Sequence, residues 1–321
     1  MFNTTRYAPV LICTLHRDVL FKQCIESLAA CDYAQLTDLY ICVDFPYNES
    51  QFFGYNNIIN YLPSIKGFKT LNITIREKNF GVNENWSKMQ QFVFLEHDRI
   101  IISEDDNIFA KSFLDFVNKG LEKFKDNRKI FSISGYNFPI NLPDDLLSNI
   151  YLWPGFAGWG VGLWRDRYYQ AKETFENLDL SIHYKKRFFS DSKKVWRLHN
   201  VANHIVPSLL ACVMKKVFLG DVHYCLFINE KNMLSVFPPV SLVKNLGQDG
   251  SGVNSGVDKL NIYLNQPIYN KKINWEFYPI ENAKINKLIY NHFKISFLSK
   301  IKLCINLFRY HLFSNLNASK Y

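Results

Sequence analysis

Three consecutive acids, Glu104, Asp105 and Asp106, follow the apolar residues 99–103. This apolar run predicts a buried strand, so the acids are expected where the strand ends, at the edge where open α/β sheets bind ligands. Adjacent carboxylates repel one another. A divalent cation bound to a nucleotide diphosphate would relieve that repulsion, because hard oxygen ligands suit Mg²⁺ or Mn²⁺. The alternative is a solvated turn that caps a helix beginning near Phe109, since acids favour helix N-termini.

A second unusual segment, residues 153–164, contains three tryptophans and four glycines. Glycine lets the backbone approach a ligand closely, and tryptophan offers a flat apolar surface. The apolar C–H faces of a sugar ring suit such walls, so Gly158 and Trp159 are candidate residues for binding an acceptor or a sugar. A tightly turned core segment would have the same composition.

Strand-like and helix-like segments alternate through the first half of the chain. The predicted strands span residues 8–14, 38–43, 70–75, 99–103 and 130–134. The predicted helices begin at Asp18 and span residues 83–96, 109–124 and, in the second half, much of 191–218. This alternation predicts an α/β fold with a mostly parallel sheet and helices on both of its faces.

The composition indicates a folded protein with an anionic partner. Of the 321 residues 48% are hydrophobic, and the formal net charge is +9, which suits phosphates or an acidic membrane surface. The basic residues are spread out without a base-reading motif, so nucleic acid is not expected as a partner. The seven cysteines form no C-x-x-C pair, which favours buried thiols in a reducing cytoplasm. No signal-peptide pattern precedes the first strand, which also favours a cytoplasmic protein.

The C-terminal residues 281–321 differ from the rest of the chain, because no acid follows Glu281 while lysines and an arginine alternate with apolar residues. This pattern predicts a basic amphipathic extension that lies on an anionic membrane surface, at the inner face of the cell membrane. A helix packed on the domain with its basic residues outward is the alternative. We therefore divide the chain into a main domain, residues 1–280, and this tail. Residues 1–137 are the predicted nucleotide-binding half and residues 138–280 the predicted acceptor half.

The order of short motifs along residues 8–255 resembles that of GT-A nucleotide-sugar glycosyltransferases, in particular bacterial family 2-like enzymes and the N-acetylglucosaminyltransferase I type with its Glu-Asp-Asp motif. The motifs that carry the resemblance are residues 14–17, Asp44, residues 79–83, the acidic run at 104–106, and residues 134–136, 158–160, 164–167 and 241–247. The resemblance implies a GT-A, Rossmann-like fold with the donor nucleotide over the C-terminal ends of the first strands.

The resemblance also implies roles for individual residues. Thr14 and Arg17 would meet the base or the phosphates of the donor. Asp44 would accept a hydrogen bond from the base, and Asn79 and Asn83 would line the nucleotide pocket.

The acidic run receives its implied roles in the same way. Glu104 and Asp105 would contact the donor, with Asp105 near the ribose or the sugar, and Asp106 would bind Mn²⁺ or Mg²⁺. The metal and a cation such as Arg17 would stabilise the departing diphosphate.

Inverting transfer also needs a carboxylate that takes the proton of the acceptor hydroxyl. Asp221 is the best candidate, because it lies just upstream of the last motif, while a helix N-cap is the alternative role for this residue. Asp166 and Asp249 are the substitutes.

These observations predict a metal-dependent, inverting glycosyltransferase that uses a nucleotide-diphosphate sugar and a glycan or lipid-linked acceptor in bacterial surface polysaccharide synthesis. A sugar-phosphate nucleotidyltransferase is one alternative, although that class carries a glycine-rich loop after the first strand and residues 15–18 contain no glycine. A non-catalytic scaffold that binds sugar or membrane is the other.

Overall fold

The structure of the chain is a computed structural model that describes residues 7–146, 149–175, 178–250, 257–276, 278–293 and 295–318. The strands are β1 (Val10–Thr14), β2 (Asp38–Val43), β3 (Thr70–Ile75), β4 (Arg99–Glu104), β5 (Asn107–Phe109), β6 (Ile130–Ser134), β7 (Tyr151–Trp153), β8 (Val161–Trp164), β9 (Leu234–Phe237), β10 (Val243–Asn245) and β11 (Ile280–Glu281).

The α-helices are α1 (Asp18–Ala29), α2 (Phe52–Tyr61), α3 (Gly81–Glu96), α4 (Phe113–Lys123), α5 (Arg165–Phe175), α6 (Leu178–Ser190), α7 (Ser192–His199), α8 (Ile205–Lys215), α9 (Gly220–Glu230), α10 (Ala283–His292) and α11 (Phe297–Ala318). Short 3₁₀ turns lie at Ala34–Leu36, Glu49–Gln51, Leu62–Ser64 and Asp144–Leu146.

Most strands join one large sheet, which has nine strands over the described ranges in the order β11-β7-β9-β6-β8-β4-β1-β2-β3. The half formed by β4, β1, β2 and β3 is parallel, and β8 runs antiparallel between β4 and β6. Helices flank the sheet, so the predicted α/β class with a mostly parallel sheet is confirmed.

Strands β1, β2 and β4 are buried nearly throughout, as expected of parallel strands that are covered on both faces. Their register brings Cys13 beside Cys42 and beside Glu104. The residues that follow the apolar runs therefore leave the sheet together at one edge. Thr14 accepts at its backbone oxygen from the N–H of Asp44 at 2.9 Å, which fixes the two strand ends against each other.

The segment after the acidic run differs from the prediction. The helix expected from Phe109 begins at Phe113, because Asn107–Phe109 forms β5 and pairs antiparallel with β10 in a second, small sheet. Phe109 and Val243 are both buried in this pairing. The acidic run therefore does not cap a helix, and the alternative reading as a solvated helix cap is wrong.

The tryptophan- and glycine-rich segment has two structural roles. Trp153 ends β7 and Trp164 ends β8, and both side chains are buried in the core. Only the intervening turn reaches the surface, and there Trp159 is half-buried. The alternative prediction, a tightly turned core segment, is thus correct for the two ends of the segment.

The beginning of the predicted tail packs against the main domain. Strand β11 pairs with β7, and α10 buries Ile285 and Ile289 in the core. Helix α11 then contacts α6. The division of the chain at residue 280 stays a prediction. Within the described ranges, no helix combines the length and the apolar character needed to cross a bilayer.

All seven cysteines are free thiols. Six of them are buried or half-buried, as predicted, whereas Cys304 is exposed because it lies on α11.

Gly54 provides a test of how α2 holds the turn between β1 and α1. A Cβ on Gly54 would lie 1.9 Å from the backbone oxygen of His16. Alanine is normally the better helix former by about 1 kcal/mol, but here the overlap is with backbone that cannot rotate away. We expect Gly54→Ala to lower the free energy of unfolding by about 1–3 kcal/mol in urea titrations.

Gly220→Ala is the matched control for this substitution. It also lies in a helix, and its Cβ would meet only the Phe218 ring, at 3.9 Å. Equal stabilities of the two variants would show that α2 does not depend on this close approach.

Candidate functional site

Arg17 bridges two of the three acids at the sheet edge. Its guanidinium donates through Nη2 to Asp105 Oδ1 and through Nη1 to Asp106 Oδ2, the latter at 2.7 Å. Thr14 Oγ1 donates to the other oxygen of Asp105 at 2.6 Å. Both carboxylates are 3% exposed. Arg17 stands between β1 and α1 and thus supplies the cation that two buried acids require.

The last motif of the sequence completes this network. Strand β10 pairs Asn245 with Asn107, and Asn245 Nδ2 donates to Asp106 Oδ1 at 2.6 Å. Gly247 then passes so close that a Cβ on it would lie 1.8 Å from Asp106 Oδ2. Asn245 was not among the predicted site residues, although it belongs to the motif at 241–247 that carried the resemblance. We call Thr14, Arg17, Asp105, Asp106 and Asn245 the acid–arginine cluster.

Burial and charge act in opposite directions within this cluster. Burial raises the pKa of Asp106 to about 6, and the charge of Arg17 limits that rise. Burial alone would lower the pKa of Arg17, but the charges of Asp105 and Asp106 outweigh it, so the pKa of the guanidinium is raised. Arg17 is therefore a permanent cation in this network.

The acid–arginine cluster, as arranged, does not fit a divalent ion. Each carboxylate oxygen of Asp105 and Asp106 accepts a hydrogen bond from a protein donor, and Gly247 covers Asp106. Among the residues that the structure describes, no group of three or more His, Cys, Asp or Glu side chains could hold a metal ion. A cation at Asp106 would have to replace Arg17 or Asn245, so the role of Asp106 as a metal ligand stays a prediction.

Asp44 and Asn79 organise the turn that leads into α3. Asp44 accepts from the backbone N–H groups of Phe80 and Gly81, each at 2.9 Å, and Asn79 Nδ2 donates to Asp44 Oδ2 at 3.4 Å. Asn79 also donates to the backbone oxygen of Phe45 at 2.6 Å. The structure thus brings this predicted pair together, and their roles in binding the nucleotide stay predictions.

Glu104 separates from its two neighbours. It is the last residue of β4, and its side chain is exposed in a cavity of about 780 Å³. Burial by the surrounding protein raises the pKa of Glu104 well above its ordinary value, and the charges of Asp106 and Asp221 raise it further. Asn83 also lines this large cavity and donates to the backbone oxygen of Phe218 at 3.2 Å.

A second, smaller cavity of about 220 Å³ adjoins the first. Trp159 stands in its wall with its ring against Tyr136, at 4.8 Å between centroids, and against Tyr263, at 5.7 Å. The walls that the two cavities share are formed by Phe156, Gly158, His204, Asp221 and Val222. The predicted residues Gly158, Trp159 and Asp221 therefore meet at one place.

Asp221 lies on this shared wall, in the first turn of α9. It does not cap the helix, so the N-cap alternative is wrong; instead, its Oδ2 accepts from the backbone N–H of Gly158 at 3.2 Å. The side chain is exposed to the two cavities and is otherwise surrounded by protein. Burial raises the pKa of Asp221 to about 6, against the smaller lowering by the Gly158 N–H.

The two substitutes for Asp221 do not reach the cavities. Asp166 forms an ion pair with Arg128 at the start of α5. Asp249 lies in an isolated backbone bridge with Val257, and neither acid lines either of these two cavities. The side chains that the sequence analysis missed are mainly apolar, such as Phe156, Phe218 and Tyr224. They carry no pattern that distinguishes a cavity wall from the core.

Comparisons with known proteins give a weak likeness of fold only. No family model matches the chain, and no curated protein matches it. The mannosyltransferase PcManGT from Pyrobaculum calidifontis, in complex with GDP-Man and Mn²⁺, is 13% identical over 70% of this chain and 69% of that chain, with a TM-score of 0.38. GalNAc-T7 with UDP, GalNAc and Mn²⁺ is 10% identical over 76% of this chain, with a TM-score of 0.45.

S. aureus TarS is 12% identical over 48% of this chain, with a TM-score of 0.30. The chain spans 44% of the GalNAc-T7 chain and 28% of the TarS chain. These similarities are too low to carry an argument about chemistry, which rests on the geometry above.

Arg17→Met tests whether Arg17 occupies the position that a metal cation would take between the two acids. Methionine keeps the aliphatic stem but leaves two buried acids without a counter-charge, with only the hydrogen bonds from Thr14 and Asn245 remaining. We expect a loss of about 2 kcal/mol in the free energy of unfolding at neutral pH, less than for a fully buried pair because Arg17 is 18% exposed. MnCl₂ should raise the melting temperature of the variant but not that of the wild type.

Lys22→Met is the control, because Lys22 lies on α1, the helix that Arg17 precedes, and is 57% exposed. It should change neither the stability nor the response to Mn²⁺. An equal Mn²⁺ response in the wild type and in Arg17→Met would show that Arg17 gives way to the ion and that the acids do accept it.

Asp221→Asn tests whether the ionised carboxylate of Asp221 lowers the stability of the folded protein. Folding raises the pKa of Asp221 from 3.8 to about 6, so the ionised form disfavours the folded state and stability from this group falls as pH rises between these values. The variant should therefore melt above the wild type at about pH 8, and this difference should disappear towards about pH 4.

Asp115→Asn provides the contrast, because this acid also lies in the first turn of a helix but pairs with Lys119 at 2.8 Å. It should lower the melting temperature at about pH 8. If Asp221→Asn did the same, Asp221 would be a structural partner and not a strained carboxylate.

Proposed function

We propose that this chain is a glycosyltransferase that moves a sugar from a nucleotide-diphosphate donor to a hydroxyl group of an acceptor. The observation that carries the proposal is the meeting of two cavities, of about 780 and 220 Å³, at the carboxylate of Asp221. A transferase must hold two substrates on either side of one reacting centre. Two adjoining cavities with a shared acid provide this arrangement.

The large cavity is the proposed donor site. Asn83, Trp86 and Lys88 of α3 line it together with Glu104 and with Lys172 of α5. Trp86 offers a ring for a base or a sugar. Lys172 and Lys88 are the cations of this wall that would meet phosphates, and Lys88 would do so by leaving its ion pair with Glu84 at 3.2 Å. The wall is otherwise largely apolar, as in most sites for small molecules.

The small cavity is the proposed acceptor site. Trp159, Tyr136 and Tyr263 give it aromatic walls that suit the C–H face of a sugar ring, and its volume suits one ring. This lining supports a glycan or a lipid-linked sugar as the acceptor. The resemblance to bacterial family 2-like enzymes supports a role in surface polysaccharide synthesis.

Asp221 is the proposed general base. Its carboxylate takes the proton of the acceptor hydroxyl while that oxygen bonds to the anomeric carbon of the donor sugar. The bond from the anomeric carbon to the diphosphate oxygen breaks, and its electron pair leaves with the nucleoside diphosphate. Because donor and acceptor lie in cavities on different sides of Asp221, we propose that the acceptor attacks from the face opposite the leaving group, which inverts the configuration.

The acid–arginine cluster is proposed to position these groups. By locking Asp105 and Asp106, Arg17 and Asn245 fix the end of β4, and Glu104 is held towards the donor cavity. No step of this proposal uses a divalent ion, because the cluster does not fit one as arranged.

Nucleotide sugars test the proposal in two stages. First, at least one of UDP-glucose, UDP-N-acetylglucosamine and GDP-mannose should raise the melting temperature, because a ligand that binds the folded state stabilises it. Release of nucleoside diphosphate from that donor then measures turnover. Asp221→Asn should lower turnover about 100-fold or more while leaving the melting shift in place.

The pH profile provides a separate readout. Turnover of the wild type should rise with pH and reach half of its maximum at about pH 6, since the base acts only when ionised. Asp115→Asn, which lies outside both cavities, should keep the wild-type profile. Full turnover in Asp221→Asn would refute the role of Asp221 as the general base. The absence of a melting shift with all three donors would refute the donor class.

A further inference from the structure

Helix α11 has two different faces. Leu303 and Leu307 are partly buried against the core, on the side where α11 contacts α6. The opposite side carries large apolar residues that remain exposed: Phe297 (76%), Leu298 (69%), Ile301 (41%), Ile305 (46%) and Phe308 (65%). At about 3.6 residues per turn these five side chains fall within one arc of roughly 100°, which we call the apolar stripe.

The apolar stripe is a continuous row of exposed side chains and not a set of scattered surface residues. Single exposed apolar side chains are normal on soluble domains, but a continuous row of them marks an interaction site. Among the described side chains of α11, Leu303 and Leu307 face the core, whereas the apolar stripe stays exposed.

Cations border the apolar stripe on both sides. At about 100° per residue, Lys302 and Arg309 lie along one edge and Lys300 along the other, and all three are exposed. The sequence contains no acid after Glu281 that could offset them. Helix α10, which precedes α11 in the sequence, also carries the exposed Lys284 and Lys287. The stripe is thus set in a positively charged surface.

We propose that α11 binds the surface of an anionic lipid bilayer, lying parallel to it. The stripe would enter the boundary between headgroups and acyl chains, and Lys300, Lys302 and Arg309 would meet lipid phosphates. A second copy of the chain is the poorer partner, because apposed stripes would bring like charges together. Nucleic acid would leave the phenylalanines in water. This inference is independent of the proposed function.

Vesicle sedimentation with the full-length chain tests the proposal. The wild type should sediment with vesicles of phosphatidylcholine and phosphatidylglycerol in equal amounts, and much less with phosphatidylcholine alone. Raising the ionic strength from about 0.1 M to 1 M should weaken binding. The double variant Phe297→Ser/Phe308→Ser should bind the anionic vesicles about tenfold or more weakly, since two aromatic side chains no longer leave water.

The matched control is Phe53→Ser/Leu95→Ser. These residues are 79% and 69% exposed, close to the 76% and 65% of Phe297 and Phe308, but they lie on α2 and α3. The control should bind vesicles like the wild type, and both double variants should melt like it. Equal loss in the two variants, or no binding by the wild type, would overturn the proposal. So would a wild-type dimer in sedimentation velocity that the stripe variant abolishes while vesicle binding is unchanged.

A second measurement does not depend on any substitution. Cys304 is the exposed thiol of the chain and lies on α11 between Ile301 and Ile305. A polarity-sensitive fluorophore attached to it should shift to the blue with the anionic vesicles. An unchanged spectrum with sedimenting protein would place the contact elsewhere and overturn the role of α11.

Discussion

The ion pair between Arg17 and the two buried acids is the interaction on which this site depends. Asp105 and Asp106 are almost completely withdrawn from water, and buried carboxylates persist only with donors and a counter-charge. Arg17 supplies both, from the turn between β1 and α1. That turn is held in place by the contact of Gly54 with His16, and Asn245 joins from β10, 139 residues after Asp106 in the sequence. One requirement for charge compensation thereby ties together three segments that are distant in sequence.

The same requirement explains why three adjacent acids do different things. Asp105 and Asp106 turn into the protein and are matched by Thr14, Arg17 and Asn245. Glu104, still part of β4, points to the cavity that also contains Asp221. Asp105 and Asp106 are engaged by hydrogen bonds within the fold, and Glu104 lines the large cavity. Three adjacent acids in the sequence therefore do not share one environment in the structure.

Much of the sheet could be predicted from the sequence because its parallel strands are short, continuous apolar runs. The bounds of β2, β3 and β6 agree with the prediction to the residue. Strands β5 and β10 could not be predicted, since each has three residues and exists only through its pairing with the other. Strands β7, β8 and β9, which take part in the antiparallel pairs of the large sheet, were not predicted for a related reason: tertiary pairing and not local pattern decides them.

The residues of the site were likewise only partly predictable from the sequence. The sequence placed Thr14, Arg17, Asp105 and Asp106 at one strand edge, and they do lie together. It did not show that Arg17 would bind the acids themselves, because a motif names the residues and not their partners. Asp221 was predicted from its position before the last motif and lines both cavities, whereas the aromatic residues of the cavity walls look like any other core residues in the sequence.

The common wall of the two cavities has a thermodynamic consequence. Phe156, Gly158 and Asp221 border both spaces, and a Cβ on Gly158 would already lie 2.9 Å from the Asp221 carboxylate, so the wall has little slack. An occupant of one space would contact side chains that also shape the other. Any change that the first molecule makes in the affinity for the second must then, by linkage, be equal in both directions.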